Sequence, residues 1–80
     1  MYFIFTQHAE ENVKERKISK DLIKNAILNP DKIFNSIKNR KIAHKIIKNK
    51  LLRVIYKETG KAYIVITFYY TMIERYENES

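Results

Sequence analysis

Eighty residues carrying 16 Lys or Arg against 9 Asp or Glu make one small domain of net charge +7, suited to a polyanionic partner. A chain this size buries only about 60% of its unfolded surface, and without cysteine it has no disulfide to compensate and no thiolate to offer zinc. The longest uncharged run, 62–73, is too short for the roughly 20 residues of a spanning helix, and MYFIFTQHAEE lacks the basic start of a signal peptide. The expectation is a soluble cytoplasmic protein; absence of cysteine fits a reducing compartment.

Residues 2–6, YFIFT, are apolar and aromatic, the composition of a buried strand. Thr6 suits an N-cap, and QHAEENVKERK continues with Glu10 and Glu11 early and Lys14, Arg16 and Lys17 late, as a helix dipole favours. Ala9 and Val13 would face the core; His8, Glu11, Asn12 and Glu15 would share the other side. Ser19 caps a second helix, with Ile18 and Ile23 as a hydrophobic staple and Ile23, Ala26 and Ile27 as its apolar stripe. The helix ends at NPD, 29–31, because the residue before proline is pushed out of the α region.

From Lys41 the period changes to that of strands. KIAHKII, LLRVIYK and AYIVITFYY are β-branched and aromatic, separated by KNK and by ETGK with the only glycine, Gly60. The expected fold is a single α+β domain over 1–80 of order β-α-α-β-β-β, two helices on one face of an antiparallel sheet. MIERYENES turns acidic from about 74 to 80 and reads as a short helix or a frayed end.

The distribution of charge is more informative than its total. Residues 40–57 hold seven Lys or Arg and no Asp or Glu, and 32–57 hold nine against none. Richness in Lys, Ile and Asn explains abundant lysine but not missing glutamate, so the gap points to a functional basic surface. Strand alternation then assigns faces. Ile42, His44, Ile46, Leu52, Val54, Tyr56 and the even positions of 62–70 are expected under the helices. Lys41, Lys45, Arg53, Lys57, Thr67 and Tyr69 are expected together on the opposite face, with cations for phosphates and rings for bases.

On that parity His44 is an inward core or rim residue. His8 lies in a helical first turn, where free N–H groups favour anions; it is either a general base beside a phosphate or a surface residue packed near the cap. Two histidines 36 apart and no cysteine give no metal set, and one glycine gives no phosphate loop, so no cofactor is expected. Ser19, Ser36 and Ser80 sit in a cap, a loop and the terminus, where no nucleophile triad is supported. Metal-free RNA cleavage is better supplied. The 2′-OH is the nucleophile, and the protein needs only a base, an acid and cations. Arg53 can hold a phosphate bidentately, Lys41 and Lys45 add point charges, and Tyr69 or His8 handles protons.

FTQHAEENVKERKIS, IKNAILNPDKI, LLRVIYKE and YIVITFYYTMIERY, in that order, resemble a family of small, mostly uncharacterised prokaryotic domains. That family is similar to the RelE/ParE toxin superfamily and its BrnT-like branch. The resemblance covers nearly the whole chain and implies a compact β-α-α-β-β-β fold. It further implies an mRNA endonuclease, ribosome-dependent or free, held by a cognate acidic antitoxin. The family's marked positions fall on His8, Arg16, Arg53, Thr67 and Tyr69, and relatives often carry Gly where this chain has Lys17. Arg16 is either a nucleic-acid contact or a bridge from the helix junction to the sheet.

Three functions follow as expectations. The first is a type II toxin acting as an RNA endonuclease, a hydrolase of the RNA chain. The second is a non-enzymatic nucleic-acid binder, or a gyrase poison as on the ParE side. The third is an interaction domain, with Tyr63, Val65, Ile55 and Ile47 as an interface core and an acidic partner on the cations.

Overall fold

The computed structural model describes residues 2–74. Its order is β1 (Tyr2–Phe5), α1 (Gln7–Arg16), α2 (Lys20–Leu28), β2 (Lys32–Asn35), β3 (Arg40–Ile47), β4 (Lys50–Thr59) and β5 (Ala62–Met72). The strands form one sheet in the spatial order β1-β5-β4-β3-β2. β1 runs parallel to β5 and the other pairs are antiparallel. The sheet is therefore mixed and five-stranded, where an antiparallel sheet of four was expected. The additional strand is β2, whose KIFN is a short edge segment with all four residues exposed.

Both helix starts follow the side chains expected of them. Thr6 Oγ1 accepts from Ala9 N at 3.1 Å, and Ser19 Oγ accepts from Leu22 N at 3.1 Å. α1 ends on Lys17 in the left-handed region, φ 54 and ψ 40, the C-cap geometry that glycine adopts without strain. A 2.7 Å ion pair between Glu10 and Lys20 then links the two helices.

The core lies between the helices and one sheet face. Ala9, Ile18, Ile23, Ala26 and Ile27 pack on Ala43, Leu52, Val54, Tyr56, Val65 and Phe68. One side chain and one strand depart from the expected helix faces and strand environments. Asn12 is buried rather than exposed, its amide 3.0 Å from His8 Nε2 one turn earlier. β1 is an edge strand, not a buried one, with Tyr2 60% and Ile4 44% exposed on the face away from the helices.

Register corrects the expected faces of β3. Ile47 pairs with Lys50 across the two-residue turn 48–49, so odd positions of β3 lie opposite even positions of β4. Cross-strand partners share a face, so Lys41, Ala43, Lys45 and Ile47 stand on the helix side with Leu52, Val54 and Tyr56. A bulge between the Ile55 and Tyr56 pairings changes the parity of β5. Tyr63 and Val65 consequently belong to the helix side and pack in the core, while Thr67 and Tyr69 remain on the far side.

Candidate functional site

Pairing across β2, β3, β4 and β5 lays the far face out in rows. The first is Lys32, His44, Arg53 and Tyr69; the second is Phe34, Ile42, Ile55 and Thr67. A third joins Arg40 to Lys57, Ile64 and Ile4. Four Lys or Arg occupy these rows and no Asp or Glu does. The far face thus takes four of the nine cations of the acid-free stretch 32–57, with different members from those expected.

Arg53 and Tyr69 face each other across β4 and β5, and Arg53 Nη1 donates to Tyr69 Oη at 2.8 Å. The guanidinium also lies 5.9 Å from the Tyr69 ring centroid. By accepting from arginine, the phenol keeps its own proton available for donation. Lys57 shares this face two rows further along β4, and Thr67 lies beside Tyr69.

His44 belongs to the same site, contrary to its expected inward placement. It pairs with Arg53 across the strands, is 4% exposed, and meets Phe34 edge-on at 4.8 Å between ring centroids. Burial first, then the positive charges of Arg53 and Lys32, push its pKa below the ordinary histidine value of 6.5. The ring is thus held neutral at neutral pH. The two-residue β3–β4 turn was the signal in the sequence: applying its odd-to-even pairing places His44 beside Arg53.

The remaining expected residues are elsewhere. His8 is exposed on α1, which packs on β5 and β1 from the helix side, so the sheet separates it from Arg53 and Tyr69. Lys41 and Lys45 rise from the helix side and are engaged there. Lys41 Nζ pairs with Glu58 at 3.3 Å, and Lys45 Nζ donates to Asn29 O at 2.8 Å, capping the end of α2. Arg16 Nη1 donates to Phe68 O at 3.0 Å. β1 pairs with β5 only as far as Val65, leaving later carbonyls of that edge to Arg16 and to Thr6 Oγ1, which donates to Ile66 O at 3.4 Å. Arg16 is the bridge from helix junction to sheet. The proposed interface core is likewise divided: Ile55 is on the far face, while Tyr63, Val65 and Ile47 pack with the core.

Residues 5–70 match the family described as Domain of unknown function (DUF4258). The chain belongs to that family. The matched span of this DUF4258 chain takes in both helices and every far-face residue of the Arg53 row. No curated protein and no solved structure matches it. Among the described residues no three metal-ligating side chains cluster, and no helix is long and apolar enough to cross a membrane. The acidic segment expected to 80 lies outside the described residues beyond Glu74.

Proposed function

We propose that this DUF4258 chain binds RNA on the far face of its sheet and cleaves it without a metal, as the toxin of a type II toxin–antitoxin pair. The observation that carries this reading is the Arg53–Tyr69 hydrogen bond within a row that also holds His44. The ordered resemblance to the RelE/ParE superfamily supports it independently.

In the reaction the 2′-oxygen attacks the neighbouring phosphorus, forming one P–O bond while the P–O5′ bond breaks. The 2′-OH proton passes to His44, held neutral by burial and by its cationic neighbours. Phe34, whose ring meets His44 edge-on, belongs to an edge strand exposed at all four residues. Arg53 holds the non-bridging oxygens, and Tyr69 gives its proton to the departing 5′-oxygen. The products are a 2′,3′-cyclic phosphate and a 5′-hydroxyl. Between the cationic rows, Phe34, Ile42 and Ile55 offer an apolar strip for bases. The same strip and cations suit an antitoxin segment carrying apolar and acidic side chains.

The 4% exposure of His44 favours one second reading, binding without bond cleavage, including a ParE-like gyrase poison. Incubation of purified protein with RNA in EDTA, with and without ribosomes, separates the two. Cyclic-phosphate ends from the wild type and none from folded Arg53→Ala are expected. Intact RNA under both conditions would overturn cleavage, and DNA damage with intact RNA would establish the gyrase alternative. Growth arrest on expression, relieved by Arg53→Ala, is expected of a toxin.

A further inference from the structure

The far face ends in a cavity that the Arg53 site does not use. The turn 36–39 on one side and Gly60 on the other flank a space of about 810 Å³. Small-molecule sites commonly occupy about 300–1,000 Å³. Arg40, Lys41, Lys57, Asn35, Ser36 and Thr59 contribute to its lining. The lining has one carboxylate, Glu58, and its Oε1 is already paired with Lys41 at 3.3 Å. Arg40 and Lys57, directly opposed on β3 and β4, therefore set the charge of the cavity.

Two further observations fall on this cavity. Arg40 Nε is buried and has no hydrogen-bond partner among the described residues. Arg40 as a residue is only half-buried and lines the cavity, so its outer guanidinium N–H groups, not Nε, are the donors a ligand oxygen would meet. The adjoining turn also holds two consecutive non-glycine residues in the left-handed region, Lys38 at φ 58 and Asn39 at φ 60. Asparagine adopts that region readily, so the strain, roughly 1–2 kcal/mol, falls on Lys38; such strain concentrates where a loop must hold a functional shape.

We propose that this cavity is a phosphate seat for a single nucleotide unit, Arg40 and Lys57 taking the phosphate and Asn35, Ser36 and Thr59 its sugar or base. Lys57 stands four residues beyond Arg53 on the same face of β4, about 13 Å at strand spacing. The seat therefore engages a different phosphate of the strand from the one at Arg53. It rests on the reading of the far face as an RNA surface and extends it to a second, non-reacting position.

The test is an NMR titration of the full chain with adenosine 5′-monophosphate, and separately with adenosine. Saturable shifts in the amides of 35–41 and 57–60 are expected with the monophosphate and not with the nucleoside. Arg40→Gln should weaken that binding about tenfold, the loss of one charge-assisted contact; Lys57→Ala gives the same readout if Arg40→Gln loses its fold. No binding, equal binding of adenosine, or an affinity unchanged in folded variants would overturn the seat. Binding lost in the variants while wild-type protein leaves RNA intact would uphold the seat and remove only the cleavage reading.

Discussion

Arg53 and Tyr69 lie on neighbouring strands, joined by one hydrogen bond from the guanidinium to the phenol oxygen. If Arg53 stabilises charge on the reacting phosphate, Arg53→Ala should lower the cleavage rate about a hundred- to a thousand-fold, as removal of a transition-state donor does. Single-turnover rates on a short RNA measure this; a change below about threefold would remove Arg53 from the chemistry. His44 makes a second prediction. Its folded pKa is lowered, so the unfolded chain binds the extra proton first, near 6.5. The stability associated with its neutral form is present above 6.5 and is lost as pH falls from there toward the folded value. Urea midpoints across that window should decline in the wild type and lose this part of the slope in His44→Gln. The shared placement of Arg53 and Tyr69 on the far face was legible from alternation. His44 was not, because its apolar neighbours Ile42 and Ile46 suggested burial under the helices when they share the far face with it.

At the scale of elements, sequence patterns located the helices and the last three strands, because caps, proline and β-branched runs act locally. Face assignment failed where it depended on longer-range register. Parity in β3 is set by the turn 48–49, and parity in β5 by a bulge that no residue type announces. β2 was missed because four exposed residues carry almost no periodic signal. The junction residue Lys17 is more explicit: its φ of 54 is a glycine geometry held by lysine. Lys17→Gly should stabilise the fold by about 1 kcal/mol, read as a raised urea midpoint. Thr6→Ala should cost about 1 kcal/mol, because Thr6 both caps α1 and donates to the open edge of β5.

For the whole molecule, one layer of helices on one sheet face leaves a single thin core. An 80-residue domain has roughly 4–12 kcal/mol of stability at the usual value per residue. Removal of a large core side chain such as Phe68, fully buried, costs about 3–5 kcal/mol. Phe68→Ala should therefore remove a large share of that stability, read as a lowered urea midpoint by circular dichroism, and functional variants belong on the far face. The Lys45 cap and the Lys41–Glu58 pair show why clustered charge was a good guide to a region but not to a face. Lysine stems reach around the rim of a small sheet and satisfy helix ends as readily as ligands.

The central claim is that RNA lies on the far face and not across the helices. Fluorescence anisotropy of a labelled oligoribonucleotide, read over a series of salt concentrations, tests it with Arg53→Gln and with Lys14→Gln on α1. The account predicts weaker binding for Arg53→Gln alone, with the log–log salt slope reduced by about 0.7, one single-strand phosphate contact. An unchanged slope in Arg53→Gln, or an equal loss in Lys14→Gln, would contradict it.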